Sequence, residues 1–141
     1  MIFDTQGSDQ HIVVNSLDIS GPHGELEISG GGAVHLYVTG SANIQTPVMV
    51  NTSNPARLFI YVAPYQTISL SANGNVNAYI YAPKATVEIQ SSQTLIIGSI
   101  IGNIINRGNT NGAHGNFHYS PLSQDPDDTP INVFKKSLYL N

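Results

Sequence analysis

The sequence contains no cysteine and no tryptophan, and charged residues make up only 10% of it. The absence of cysteine excludes disulfide bridges, thiolate metal sites and cysteine nucleophiles. The net charge is -4 and the five basic residues are scattered except for the pair Lys135 and Lys136. No basic stripe can therefore follow a phosphate backbone, and we expect no nucleic-acid partner. No apolar run reaches the roughly 20 residues that cross a bilayer, and we expect no membrane span in this chain.

Short apolar runs recur along the chain between small polar residues. These runs alternate apolar with polar residues and end at Gly, Asn or Pro, which is typical of short β-strands. Helical periodicity is nearly absent. The predicted strands are Ile12–Val14, Glu25–Ile28, Val34–Val38, Ala42–Gln45, Pro47–Val50, Arg57–Val62, Thr67–Leu70, Val76–Tyr81, Thr86–Ile89, Leu95–Ile97, Ser99–Ile101, Ile104–Ile105 and Asn116–Tyr119.

Four segments repeat one pattern, in which a short apolar strand leads through a small or Gly/Pro corner into a second strand. The apolar residues that align between the segments are Leu36, Ile60, Ile80 and Ile100. The repeating unit of about 20–24 residues is too small to fold alone and therefore indicates a solenoid. The sequence therefore predicts an all-β fold, a right-handed parallel β-helix with about 20–24 residues per rung. Corners are expected at Gly40, Pro64, Pro83 and Gly102.

The predicted β-helix domain covers residues 1–122. Residues 1–33 are less regular and are interpreted as first rungs or an N-terminal cap, and residues 34–122 as the regular rungs. Residues 123–141 are interpreted as a polar, Pro-containing linker followed by a C-terminal strand or tail. We expect this tail to lie along the helix flank, to cap its end, or to pair with a neighbouring molecule.

Three stretches carry a resemblance to a known family: Tyr79-Ile-Tyr-Ala-Pro-Lys-Ala-Thr-Val-Glu-Ile, Gly98-Ser-Ile-Ile-Gly-Asn-Ile-Ile and Asn116-Phe-His-Tyr-Ser-Pro-Leu. Over about residues 35–122 the chain resembles the C-terminal domain of PilX-like, type IV pilus-associated bacterial proteins, although Ser120 stands where that family usually has Asp. The stretch Ile28-Ser-Gly-Gly-Gly is similar to head repeats of autotransporter-type adhesins. Both resemblances imply an extracellular or cell-surface, non-catalytic role. Residues 1–7 do not have the pattern of a signal peptide, so the expected location depends on the resemblance.

Few residues suggest a catalytic or metal site. Glycan-cleaving β-helix enzymes need carboxylates clustered on one face, whereas here only Asp125, Asp127 and Asp128 cluster, in the linker, as a solvated turn or a weak Ca²⁺ site. His114 and His118 have the four-residue spacing of a metal pair on a helix, but they flank a Gly/Asn turn before a strand. We therefore expect no catalytic residue, no metal and no cofactor.

Tyrosines provide the candidate binding face. Tyr37, Tyr61 and Tyr81 occupy the same position in three successive rungs, and alternation with their inward neighbours predicts an outward, stacked ladder. Tyr65 and Tyr79 lie near them in the sequence. Such a ladder either stabilises the rungs by stacking, at about 0.5–1 kcal/mol per pair, or forms an exposed apolar stripe for sugar rings, a partner or a neighbouring subunit.

Three functions remain open at this point. The first, which we expect, is a non-catalytic structural or adhesive β-helix module of a bacterial surface or pilus-like assembly, with protein or glycan partners. The second is a self-assembling β-helical scaffold polymer that associates through the helix ends or the C-terminal tail. The third is a carbohydrate-active β-helix enzyme, which requires two carboxylates within roughly 10 Å of each other in a groove.

Overall fold

The short alternating runs fold into a parallel β-solenoid, which confirms the predicted fold class. The computed structural model describes residues 2–20, 26–45, 54–71, 75–90, 95–107 and 116–119. Its strands are β1 (Ile2–Asp4), β2 (Gln10–Val14), β3 (Leu17–Ile19), β4 (Glu27–Ser29), β5 (Val34–Val38), β6 (Ala42–Ile44), β7 (Leu58–Val62), β8 (Thr67–Leu70), β9 (Asn75–Ile89), β10 (Leu95–Arg107) and β11 (Asn116–Tyr119). A 3₁₀ helix, Pro55–Arg57, precedes β7.

The strands stack in three faces, and every pairing between them is parallel. On one face β2, β5, β7 and the middle parts of β9 and β10 follow one another. On the next face β3, β6, β8 and the ends of β9 and β10 do the same. The remaining face contains β1 on β4, and separately the starts of β9 and β10 with β11.

An aliphatic core fills the solenoid because alternate residues of each strand point inward. Leu36 pairs with Ile60, and Ile60 with Ile80, and these side chains are at most 1% exposed. Ile100 continues the series by pairing with Ile80. The register predicted from the alignment of these four residues is therefore confirmed. Each fully buried aliphatic side chain of this kind contributes about 1.5–3 kcal/mol relative to an exposed one.

Strands β9 and β10 continue around corners where the sequence predicts breaks. The runs Val76–Tyr81 and Thr86–Ile89 belong to one strand, since Pro83 holds the residue before it in extended backbone and the corner stays strand-like. In β10 the corresponding corner is a register shift between Gly102 and Ile104. Gly98 turns an earlier corner of β10 with φ +140°, and a Cβ there would overlap the carbonyl oxygen of Ala78.

Residues near the N-terminus join the solenoid through β1 to β4, which pair in parallel with one another or with later strands. Arg57 stabilises a corner of this region, because its guanidinium donates hydrogen bonds to the carbonyl oxygens of Gly32 (2.7 Å) and Gly30 (2.6 Å). The predicted strand Pro47–Val50 and residues 123–141 lie outside the described residues. Within the described part of the chain, no helix has the length and apolar character needed to cross a membrane.

Candidate aromatic binding face

A column of tyrosines runs up the outside of β5, β7 and β9. Tyr37 and Tyr61 pair in register and their rings stack with centroids 4.7 Å apart and planes 10° apart. Tyr81 pairs with Tyr61 but its ring is turned edge-on, at 6.1 Å and 62°. We call Tyr37, Tyr61 and Tyr81 the tyrosine column. The stack ends at Tyr81, whose side chain is 48% exposed.

A second column lies beside the first on the same face, and we call it the histidine column. It consists of His11, His35, Phe59 and Tyr79. The rings of His11 and His35 stack at 4.5 Å, those of His35 and Phe59 at 4.6 Å, and those of Phe59 and Tyr79 at 5.4 Å. These near-parallel contacts cover the ring faces in the interior of the column, so the column contributes mainly to the cohesion of the rungs.

Hydrogen bonds connect the two columns. The Nδ1 atom of His11 lies 3.1 Å from the Tyr37 hydroxyl, and Nδ1 of His35 lies 3.2 Å from the Tyr61 hydroxyl. Each contact joins a histidine to the tyrosine one rung further along the chain. Stacking along the column and hydrogen bonds between the columns therefore engage the facing sides and the hydroxyl groups of Tyr37 and Tyr61.

Burial and neighbouring charge favour the neutral form of His35. Desolvation lowers the pKa of His35 from its ordinary value of 6.5, and the stacked His11 lowers it further. Asp9 acts in the opposite direction, but its carboxylate is 3.9 Å from Nε2 of His35 and largely exposed. Desolvation also raises the pKa of Tyr61, with Tyr37 adding to the effect. A neutral His35 and a protonated Tyr61 are the forms that share the hydrogen bond.

A shallow groove of about 360 Å³ lies between the tyrosine column and the adjoining corners, and we call it the tyrosine groove. Its volume is at the lower end of the range for ligand sites. The strand and corner residues that line it are mostly apolar, and Lys84 is their one ionisable group other than the tyrosines. The corner residues in its wall are Thr39, Ala63, Pro64, Pro83 and Lys84.

The five tyrosines predicted as a binding face do not form one surface. Tyr37, Tyr61 and Tyr81 line the groove. Tyr65 projects from a corner, 91% exposed and with φ +65°, and does not contribute to the groove wall. Tyr79 belongs to the histidine column and is only 8% exposed. A binding role for this face stays a prediction, with Tyr81 as its most accessible ring within the groove.

His11 and His35 have no role predicted from the sequence, and the structure places them in an aromatic column. The signal was present in the repeat itself, because His35, Phe59 and Tyr79 each directly precede an aligned apolar residue of the repeat. His11 pairs with His35 across β2 and β5 in the same register. The pattern is easily missed in the sequence, because a histidine is considered first as a titrating or metal-binding residue and not as a ring that stacks.

The neighbouring face carries polar side chains in the corresponding outward positions. Asp18 pairs with Asn43, Asn43 with Ser69, and Ser69 with Glu88. Asn43 donates a hydrogen bond to the Asp18 carboxylate at 3.4 Å, and Ser69 donates one to Glu88 at 3.5 Å. No group of three or more His, Asp or Glu side chains in the described residues has the arrangement of a metal site. His114 lies outside those residues, as do the acidic residues of the linker.

The strand pairing, the two aromatic columns and the polar side chains of the neighbouring face define the class of this protein, a parallel β-solenoid with one aromatic and one polar outer face. The chain belongs to the family described as a domain of unknown function (DUF7305), whose model matches residues 1–125. No curated protein and no solved structure matches the chain. The resemblance to pilus-associated proteins and adhesins therefore stays a prediction.

Proposed function

We propose that this chain is a non-catalytic structural or adhesive β-solenoid module that works outside the cytoplasm, at a bacterial surface or in a pilus-like assembly. In this proposal the solenoid is a rigid support, and the tyrosine groove binds an extended apolar segment of a partner protein. The observation that carries the proposal is the groove itself, an apolar depression that ends at the exposed, unstacked ring of Tyr81.

The stacking geometry favours a protein segment over a glycan. Sugars bind aromatic side chains through the ring faces, but the facing sides of Tyr37 and Tyr61 cover each other at 4.7 Å. The hydroxyl groups of these two rings already contact His11 and His35. The ring edges of Tyr37 and Tyr61, the exposed ring of Tyr81 and the corner prolines remain. Such aromatic and proline walls accept apolar side chains of an extended peptide. The groove has no carboxylate in its wall, which supports the non-catalytic part of the proposal.

A displayed random peptide library and a glycan array, both probed with the purified chain, test the groove. We expect enrichment of peptides with adjacent apolar residues, and loss of that binding in Tyr81→Ser. Tyr65→Ser is the matched control, because Tyr65 is more exposed than Tyr81 but lies outside the groove wall. If the chain instead binds glycans through Tyr81 and binds no peptide, the ligand of the groove is a sugar and not a protein segment. Equal binding by both variants would remove the groove from the proposal.

Two further measurements address the location and the lack of catalysis. Protease treatment of intact cells that carry the natural gene should degrade the protein if it is displayed at the surface. A protein protected until the cells are lysed would contradict that location. Incubation of the chain with a panel of polysaccharides should give no shorter products. Polysaccharide cleavage that is lost when an Asp or Glu is replaced by its amide would instead show that the chain is a carbohydrate-active enzyme.

A second candidate function, a self-assembling scaffold, is supported by the first coil of the solenoid. We define this coil as β1, β2 and β3. Within the described residues β2 pairs only with β5, so one of its edges has no partner strand. Unpaired edges of this kind add further strands readily.

A further inference from the structure

The inner tyrosines of the column have hydrogen-bond partners, but Tyr81 does not. The hydroxyl groups of Tyr37 and Tyr61 each lie beside a histidine of the preceding coil, at 3.1 and 3.2 Å. The corresponding residue for Tyr81 is Phe59, which has no ring nitrogen. In the part of the chain that the structure describes, the Tyr81 hydroxyl therefore has no hydrogen-bond partner.

A positive charge lies at the same end of the groove. Tyr81, Pro83 and Lys84 are the residues that β9 contributes to the groove wall, and we call this part the β9 end. The side chain of Lys84 is exposed, and it forms no ion pair with a carboxylate of the described residues. The wall itself contains no Asp or Glu. The β9 end therefore combines an unpaired ammonium group with a hydroxyl that is free to donate.

The donors at the β9 end suit a carboxylate. An ammonium group donates only, and a phenol hydroxyl donates or accepts, so the two can share one anionic acceptor. Hydrogen bonds between charged partners are about twice as strong as those between neutral ones. A backbone carbonyl could accept the same bonds, but it would leave the charge of Lys84 without a counter-charge. The charge therefore favours a peptide that brings a carboxylate to this end.

The corners favour an acidic side chain over a C-terminal carboxylate. Chain termini are captured by backbone N–H groups that converge on the carboxylate. In this wall the N–H groups of Thr39 and Ala63 donate to carbonyl oxygens of the preceding coil, and Pro64 and Pro83 have no N–H. The side-chain donors remain, and an acidic side chain can reach them while its own backbone continues along the groove.

The rung spacing sets the distance between the apolar and the acidic parts of the ligand. Tyr37 pairs with Tyr61, and Tyr61 with Tyr81, so the outer two lie two rungs apart, which is about 10 Å. An extended chain covers this distance in about three residues. Because the hydroxyl groups of Tyr37 and Tyr61 are engaged, their part of the groove takes apolar side chains.

We propose that the tyrosine groove selects an extended segment that carries an acidic side chain about three residues from an apolar one. The carboxylate of this side chain binds the Lys84 ammonium and the Tyr81 hydroxyl, which makes these two groups the determinants of specificity. The inference rests on the proposed function, since it names the partner class of the same groove.

A synthetic array of apolar peptides with amidated C-termini, probed with the full chain, tests the selectivity. Each peptide has two forms that differ only by Glu or Gln at one position, and a third form has Gln and a free C-terminal carboxylate. We expect the Glu form to bind about tenfold more tightly than the Gln form, as for a hydrogen bond to a charged group. Lys84→Gln should remove this preference. Tyr81→Phe should reduce it, and so should Phe59→His, which gives the Tyr81 hydroxyl a histidine partner.

Asn75→Asp is the matched control for the charge of the whole chain. Like Lys84→Gln it makes the net charge more negative by one, but Asn75 is exposed at the start of β9 and lies outside the groove wall. This variant should keep the preference for the Glu form. Equal loss of the preference in Asn75→Asp and Lys84→Gln would overturn the inference, because the preference would then reflect net charge. An undiminished preference in Lys84→Gln would overturn it as well.

The three peptide forms separate failure of this inference from failure of the proposed function. Equal binding of the Glu and Gln forms, lost in Tyr81→Ser, would overturn the acidic selectivity and leave the groove as an apolar peptide site. Tightest binding of the form with a free C-terminus would overturn the choice of a side chain over a chain end. No binding of any form would remove both the selectivity and the proposed groove ligand.

Discussion

Replacement of Tyr61 measures how far the aromatic columns hold the rungs together. Its ring stacks on Tyr37 at 4.7 Å, meets Tyr81 edge-on at 6.1 Å, and its hydroxyl lies 3.2 Å from Nδ1 of His35. Tyr61→Phe removes only the hydroxyl and should cost about 0.5–1 kcal/mol for one lost hydrogen bond. Tyr61→Ala also removes two ring contacts, each worth about 0.5–1.5 kcal/mol, and part of the buried area. We expect about 2–4 kcal/mol for Tyr61→Ala.

Urea unfolding followed by circular dichroism gives these free energies, provided that the m-values of the variants stay equal. Tyr65→Ala is the control, because Tyr65 is 91% exposed and its replacement should change stability by less than about 0.5 kcal/mol. Equal destabilisation by Tyr61→Ala and Tyr65→Ala would refute the prediction. That result would mean that the rings do not stack in solution and that the face is free for ligands along its whole length.

Two further predictions concern the interior of the columns and a corner. Burial and His11 lower the pKa of His35, so the unfolded chain binds a proton at this imidazole more readily than the folded chain does. The stability of the folded chain is therefore unaffected by this group above pH 6.5 and falls as the pH drops below that value. Unfolding midpoints measured from pH 8 to 5 should show this fall, and His35→Phe should reduce it. Gly98→Ala should destabilise by about 3 kcal/mol or more in urea unfolding, since its Cβ would overlap the Ala78 carbonyl oxygen. A mild effect of Gly98→Ala would show that this corner can rearrange.

The repeat spacing predicted the register of the solenoid because inward positions tolerate little variation. Leu36, Ile60 and Ile80 pair directly, as their spacing in the sequence requires. A shift of one residue would turn the apolar side chains outward, so the hydrophobic pattern and the register determine each other. Strand ends were less predictable, since Pro83 lies within β9 although proline usually ends a strand.

The candidate site was only partly predictable, because outward positions are not constrained by the core. Sequence alternation gives the outward direction of Tyr37, Tyr61 and Tyr81, but the edge-on turn of Tyr81 depends on local packing. Tyr65 and Tyr79 are close to the column in sequence, yet one lies on an exposed corner and the other in the histidine column. Proximity along the chain does not determine which column a ring joins, since adjacent strand positions on one face differ by two residues.

The tyrosine groove and the histidine column use different parts of the aromatic face, and this separation can be measured. No residue of the histidine column contributes to the wall of the groove, although hydrogen bonds join the two columns, as between His35 and the Tyr61 hydroxyl. We therefore expect Tyr81→Ser to abolish peptide binding with little loss of stability, because this residue is 48% exposed. We expect His35→Phe to keep peptide binding while it reduces the fall in stability below pH 6.5. Loss of peptide binding in a folded His35→Phe protein would show that the histidine column determines the shape of the groove.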